Sequence, residues 1–483
     1  MSRSRLLRAP LLGVGALLAL PGGAVAQGEL SIDQVAGRLD LTWILVATVL
    51  VMFMQAGFAF LEIGFSRGKN VGAGVAKIFA NFSIATIAWW GMGFALAFGG
   101  GGWLAGDSGF LFSHAQTVAG EAATGETAGF MLFQFMFCAV SLAIVWGTTL
   151  ERIKFIAYVI YAAVFAAVIY PLGAHWIFGG GFLSEIGGGV QDFAGSTVVH
   201  LVGATGAFAA LLLLGPRKGK YGPDGKPRII PGHSMPLVGL GVLILWFGWF
   251  GFNGGSTLGT GDGRFAEVAL VTQLGAAGGV IAASLLVWIK TRSLDVGMSG
   301  NGAIAGLVAI TAPSGYVEFW AAPIIGAVGG VVVVFGVLAI EKKLDDPVGA
   351  LSAHGLAGVW GTLACGLFTS PRLAETNGIG VEGLVYSGSF EQLGVQAVGV
   401  GAAFAAVFTL SIITFAAIKA TVGLRVTEEE EDAGLDVASH GMYGYPEQFI
   451  PAPELAGGLE GPVSAPARVP AAVAQQRASE VTA

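Results

Sequence analysis

The sequence predicts an all-α membrane protein with eleven transmembrane helices, built as an inverted five-helix repeat (spans 1–5 and 6–10) plus an extra C-terminal span. Three observations predict it. First, 54% of the 483 residues are hydrophobic and only 11% are charged, with a mean hydropathy of +0.74. A soluble domain carries about 25% charged residues, so this chain has too few to cover a water-facing surface. Second, the basic residues fall almost entirely into alternate loops. Third, an aspartate eight positions before a histidine opens the fifth apolar segment, as Asp192 and His200, and again the tenth, as Asp346 and His354.

Taken in order, residues 1–26 read as a cleaved signal peptide. Arg3, Arg5 and Arg8 form a basic start, Leu11 to Leu20 an apolar stretch, and Ala24-Val25-Ala26 a small-residue cleavage site. About ten apolar residues are too few to cross a bilayer, which takes about 20. Eleven longer segments follow, near 41–64, 71–98, 128–149, 153–178, 194–215, 234–255, 265–289, 299–313, 317–340, 350–368 and 392–420. The eighth is the shortest and is rich in glycine. The 78 glycines have no fixed period and sit inside apolar runs, where small residues let helices approach closely. The membrane domain is therefore set at 27–420 and a polar cytoplasmic tail at 421–483, its last 30 or so residues of disordered composition.

Orientation comes from the loops. Arg67 and Lys69 follow span 1, Arg152 and Lys154 span 3, and Arg217, Lys218, Lys220, Lys226 and Arg228 span 5. Lys290 and Arg292 follow span 7, Lys342 and Lys343 span 9, and Lys419 and Arg425 mark the end of span 11. Loops after even spans hold only Arg264 and Arg372 as notable exceptions. Positive loops face the cytoplasm, which puts the mature N-terminus outside and the C-terminus inside the cytoplasmic membrane. A cleaved signal requires the same.

This orientation turns the repeated Asp–His pattern upside down, because span 5 starts outside and span 10 inside. An inverted repeat places a substrate path at the repeat interface. An ionisable side chain within a span is costly and marks a functional site by default. His200 and His354 lie about two turns into their helices and would meet near the midplane, where two imidazoles can form a hydrogen-bonded pair that passes a proton or a polar solute. A pair that merely ties helices together is the plainer alternative. The histidines are read as the only ionisable pair in the spans. Asp346 fits a helix cap; Asp192 fits either a cap or a charge that stabilises a cation at the entrance. Cys138 and Cys365 are read as small core residues. The net charge of −7 resides mostly in tails and loops and implies no nucleic-acid partner. No metal-ligand cluster or cofactor is expected, and no nucleophile sits beside the histidines to suggest an enzyme.

Aromatic residues form a second constellation. Phe133, Gln134 and Phe137 lie on span 3, and Trp246, Trp249, Phe252, Asn253 and Ser256 follow at helical spacing on span 6. Such stripes are more often packing than binding, but a hydroxyl at the outer end suggests a cation–π cage.

At these residues the chain resembles the ammonium transporter family (Amt/Mep/Rh). The resemblance covers about 40–447 and is carried by DFAGSTVVH (192–200), GWFGFNGGS (248–256), SGNGAIAGLVAIT (299–311), the His354 segment and TVGLRVTEEEEDAGLDVASHG (421–441). It implies that Phe133 and Phe137 are the span-3 aromatics, that Phe137 and Phe252 gate the pore, and that Ser256 accepts ammonium. Asp192 is then the family's acidic residue, and His200 and His354 its twin histidines. Phe178 stands where the family usually has a tryptophan, which implies a weaker cation–π wall; Trp176 would point elsewhere.

The resemblance also implies a homotrimer with one pore per subunit and a tail that contacts a PII-type nitrogen-signalling protein. Stripping water from a bare ion costs formally tens of kcal/mol, and roughly several even after relaxation, so splitting ammonium into ammonia and a proton is the cheaper route. The expected mechanism recruits ammonium at Ser256, Phe137 and Trp249 with help from Asp192, then passes ammonia through the gate and the proton along the histidines. An electroneutral ammonia channel of the Rh type and a PII-coupled ammonium sensor are the alternatives.

Overall fold

The computed structural model describes residues 31–113 and 121–446, with side chains from 125 onward in the second stretch. The expected signal peptide and the end of the tail lie outside the described residues. Among those described, regular structure is helical apart from two isolated β-bridges.

Ten helices are long and apolar enough to cross a membrane: α1 Ile32–Phe65, α2 Gly68–Phe98, α3 Gly125–Thr148, α4 Phe155–Ser184, α5 Ser196–Leu214, α6 Met235–Gly255, α7 Arg264–Thr291, α9 Ala321–Ile340, α10 Leu351–Phe368 and α11 Glu391–Thr421. Between α7 and α9 lies α8, Val296–Thr311, of 16 residues. At 1.5 Å per residue it reaches only about 24 Å. It starts where Asp295 accepts the amide of Met298 at 2.9 Å, and Pro313, which has no amide hydrogen to donate, opens the turn that follows. The eleven-helix expectation therefore holds, and the weak eighth segment is the short helix. The first segment was placed too late. Helix α1 begins nine residues before 41, because Ser31 and Gln34 form a capping box that starts it in polar sequence with no apolar signal.

The repeat is visible in the backbone. Helix α5 starts at the end of the bundle where Thr369, past the last turn of α10, bonds Gln191 at 2.8 Å and Gln396 of α11 accepts the Gln191 amide at 2.8 Å. Helix α10 starts at the opposite end, beside Asp345 and the tail. The two therefore run in opposite senses. Their first turns share one construction: a capping aspartate, a glycine with positive φ (Gly195 at 119°, Gly349 at 75°), and a π-helical turn, Ser196–Leu201 in one and Leu351–Leu356 in the other.

The first helices of the two repeats, α1 and α6, interlock through glycine. A Cβ on Gly57 would lie 2.7 Å from Leu245 Cγ, and one on Gly64 would lie 2.6 Å from Val238 Cγ2; on α6, Gly241 and Gly248 would meet Leu61 and Met54 of α1. Contacts this close exclude any side chain.

The loops after α1, α3, α5 and α9 converge with the tail at one end, here called the tail end. Arg217 pairs with Asp345 at 2.9 Å, Arg67 with Glu151 at 2.5 Å and Lys218 with Asp432 at 2.6 Å. The buried Arg152 guanidinium donates to the carbonyls of Leu150, Gly215 and Asp345. Burial pushes the Asp345 carboxyl up, but the hydrogen bonds from Arg217 and the charges of Arg152 and Arg217 outweigh it and hold the group down at about 2. The tail lies across these loops: Val426 donates its amide to Arg152, Leu435 to the Asn70 side chain, and Lys69 reaches the carbonyls of Glu431 and Asp432. At the far end the two exceptional arginines are tied locally, Arg372 to Glu318 and Glu267, and Arg264 to Gly315 and Asn377.

Candidate functional site: a ring-lined path through the bundle

The path is built from side chains on α3, α6, α5, α10 and α1. The i, i+4 spacing of Phe133 and Phe137 puts both rings on one face of α3, 4.8 Å apart. Phe137 stacks on Phe252 of α6 with ring centroids 4.1 Å apart and planes 21° apart. Both are buried, so the pair leaves no room between the rings for a solute.

Next along the path is His200. Its ring lies 5.5 Å from that of Phe252 and stacks 5.1 Å from Trp249, one turn below Phe252 on α6. Trp249 is held in place by its indole N–H, which donates to Thr311 Oγ1 at 2.9 Å. The π turns that begin α5 and α10 bring the histidines together, with Nδ1 of His200 and Nδ1 of His354 3.2 Å apart. Such a contact requires a hydrogen on one nitrogen and a lone pair on the other. The two rings then share a single proton position, and Nε2 of His200 is left buried without a protein partner. Past His354 come Phe58 of α1, 6.2 Å from its ring, and a cavity of about 20 Å³ lined by Phe58, Glu62, Ile144, Asn301, Val348 and His354.

The paired aspartates hold this geometry. Oδ1 of Asp192 accepts the amides of Gly195 and Ser196 and Oδ2 those of Thr197 and Val198, at 2.8 to 3.0 Å. Asp346 does the same for Val348, Gly349 and Leu351. Burial pushes the Asp192 carboxyl up to about 6, with the four amides limiting the rise. It remains a carboxylate at neutral pH. Its four acceptor positions are filled by its own helix, so capping accounts for all its contacts.

The structure gathers His200, His354, Phe133, Phe137, Phe252 and Trp249 into one path, but not in the expected order. Trp249 lies against His200, on the histidine side of the phenylalanine pair and two turns below Ser256. Ser256 is half-buried and donates to the carbonyl of Phe252 at 2.8 Å, leaving its lone pairs free to accept. Phe178 is half-buried and makes no ring contact with this group among the described residues; Trp176 turns away to donate to Leu104. Of the other described histidines, His175 is tied to the carbonyls of Ala97 and Gly102, His233 to Ser66 and Tyr445, and His440 packs edge-on against Phe155.

One expectation is corrected. The histidines are not the only ionisable residues buried in the spans, since Glu62 of α1 and Lys77 of α2 are 1% and 2% exposed. The cost of burying a charge that singled out the histidines applies equally to these two, but neither has a repeat partner, and Glu62 lies three residues from the end of α1.

The family model for the Ammonium Transporter Family matches residues 42–445. The chain belongs to the ammonium transporter family. It is 44% identical over 421 residues to "Ammonium transporter Amt2" of Archaeoglobus fulgidus, covering 84% of this chain and 88% of that one. It is 34% identical to the "Ammonium transporter" of Bacillus subtilis, covering 84% and 98%. Among solved structures it is similar to a "Sensor Amt Protein", with a TM-score of 0.78 and 35% identity over 84% of this chain and all of that one. The path through the bundle is thus set in an ammonium transporter fold.

Proposed function

We propose that the protein carries ammonium across the cytoplasmic membrane by splitting it. Ammonium is recruited at the end where Ser256 lies, on the Phe133/Phe137 side of the gate. Ammonia passes the Phe137–Phe252 pair, and the proton travels through His200 and His354. The observation that carries this reading is the histidine pair at 3.2 Å, flanked by apolar rings that admit a neutral molecule far more cheaply than an ion. Potassium has no proton to give up and is refused. Trp249 serves as a wall for His200, while Ser256 supplies the acceptor at the entrance. Asp192 contributes a fixed negative charge behind its helix amides, and Phe178 the outermost apolar wall.

The tail end faces the cytoplasm in this reading. Support comes from the arginines and lysines clustered there. A homotrimer and a PII-type partner at the tail end rest on the family resemblance, and cleavage of residues 1–26 on their basic start, short apolar stretch and small-residue site. The test is ammonium current in liposomes containing the purified protein, with potassium as competitor. Ammonium current that is unaffected by potassium supports the reading. An unchanged current and unchanged selectivity in His200→Ala would sink the relay, and pH-driven flux without current would establish an electroneutral ammonia channel instead.

A sensing role is the second reading, favoured by the 35% identity to a sensor Amt protein along its whole length. It predicts that ammonium protects the tail from proteolysis at concentrations well below those that half-saturate flux.

A further inference from the structure

Glu62 is an acid in the wrong place for packing. It is the last polar residue before α1 ends at Phe65, is 1% exposed, and its Oε2 has no hydrogen-bond partner in the protein. A buried carboxyl oxygen without a partner costs about 1–3 kcal/mol or more, a cost that a proton or a small solute beside it would offset. No arginine or lysine among the described residues comes within ion-pair distance of it. It lines the cavity that opens past His354, and Phe58, one turn earlier on the same face of α1, spans the interval between them. That cavity, at about 20 Å³, is large enough for one water or ammonia molecule. Gly147 of α3 keeps the space open: a Cβ there would lie 3.4 Å from Glu62 Oε1.

We propose that Glu62 takes the proton from the histidine pair and returns it to ammonia, making the cavity the place where ammonium re-forms. This rests on the relay proposed above. With Nδ1 of His354 engaged by His200, only Nε2 can release a proton toward the tail end. The carboxylate of Glu62 accepts it, directly or through a molecule in the cavity: the N–H bond of His354 breaks and an O–H bond forms. Ammonia arriving through the gate then takes this proton; the O–H bond breaks, a fourth N–H bond forms, and ammonium leaves with the carboxylate restored. Asn301 of α8, at the same cavity, offers an amide oxygen and an N–H₂ to orient the solute. The titratable groups around Glu62 are His354 from α10, Lys77 from α2 and Tyr158 from α4, whose hydroxyl donates to the Lys77 carbonyl. Lys77 interacts electrostatically with Glu62 and lies in turn in the field of Arg152 and Glu151. From α6 and α3 only Leu245, Ala143, Ile144 and Gly147 face the cavity.

The experiment measures ammonium current in excised membrane patches while pH on the tail side alone is stepped, for wild type, Glu62→Gln, Glu62→Asp and His200→Ala. Gln keeps the size of Glu but cannot carry the proton. Glu62→Gln is expected to lower current by about tenfold or more and to abolish its dependence on tail-side pH, while the potassium discrimination at the entrance stays as in wild type. Glu62→Asp is expected to restore most of the current with a displaced tail-side pH profile. A Glu62→Gln current of wild-type size with the wild-type pH profile overturns the assignment. If Glu62→Gln does not fold, an Asp profile superimposable on wild type overturns it instead. Failure of the underlying relay shows separately, as an unchanged current in His200→Ala.

Discussion

The two histidine turns are close copies in backbone but differ in what lies beyond them. Each has a capping aspartate, a glycine with positive φ and a π-helical turn ending in an imidazole. Beyond His200 the path is lined by three phenylalanine rings. Beyond His354 lie one ring and then a buried carboxyl with an unpaired oxygen and an amide. The duplicated backbone supplies the meeting point of the two imidazoles, and the unduplicated side chains of α1, α3 and α6 give the path a direction. In the proposed relay the dry side excludes ions and the polar side hands a proton back.

The largest expected effect breaks the shared half of this comparison. His200→Ala is expected to cut ammonium current by about 100-fold or more, the scale of losing a positioned proton carrier, measured in the liposome assay. An alanine there also opens the space beside Trp249, so uncharged methylamine flux measured alongside is expected to persist.

The next tests whether the tail end is as rigid as its ion pairs imply. Asp345→Asn leaves Arg217 and Arg152 buried beside a neutral amide and is expected to cost roughly 3–5 kcal/mol of stability, read as a fall in thermal unfolding temperature in detergent. The Asp345 carboxyl is held below its unfolded value of about 3.9. Its contribution is therefore present above that value and lost as pH falls through about 2. The gap between wild type and Asp345→Asn is expected to close over that window. A gap that persists at pH 2 would mean that packing, and not charge, is responsible.

A smaller difference separates the two caps. Asp192 satisfies four amides and Asp346 three, so Asp192→Asn is expected to destabilise more than Asp346→Asn. Each would cost on the order of 1–2 kcal/mol. Potassium discrimination measured on Asp192→Asn sharpens this. Capping alone predicts that selectivity survives in the folded fraction, and a fixed charge at the entrance predicts that it falls. The smallest effect is at the outer wall, where Phe178→Trp is expected to lower the half-saturating ammonium concentration by about two- to fivefold, the worth of a stronger cation–π partner, at unchanged maximal current.

Much of this was legible in the sequence because it is carried by pattern. Apolar length located the helices, alternating basic loops grouped those that meet the tail, and the repeated Asp–His interval located the imidazoles. What escaped was carried by contact. Trp249 and Ser256 lie on one helical stripe, and nothing in their spacing says that the neighbouring α5 brings His200 against one and not the other. Asp192 next to an entrance reads equally as cap or as ion site until its four amides are seen to occupy it. Glu62 has no echo in the second repeat, and at three residues from a helix end it resembles an ordinary solvated acid. Only the packing of α3, α8 and α10 over it removes the water. The early start of α1 was hidden because a capping box, and not apolar residues, begins it.

The glycine interlock between α1 and α6 has a mechanical consequence. With Leu245 and Val238 already seated where the Cβ atoms of Gly57 and Gly64 would be, the lead helices of the two halves touch nearly backbone to backbone. A contact that close cannot slide by a fraction of an ångström without collision. The halves are keyed together like a mortise and tenon, which disfavours the rocking that many inverted-repeat carriers use to expose one site to each side in turn. The proposed route asks only for small movements: phenyl rings swinging at the gate, and protons changing atoms.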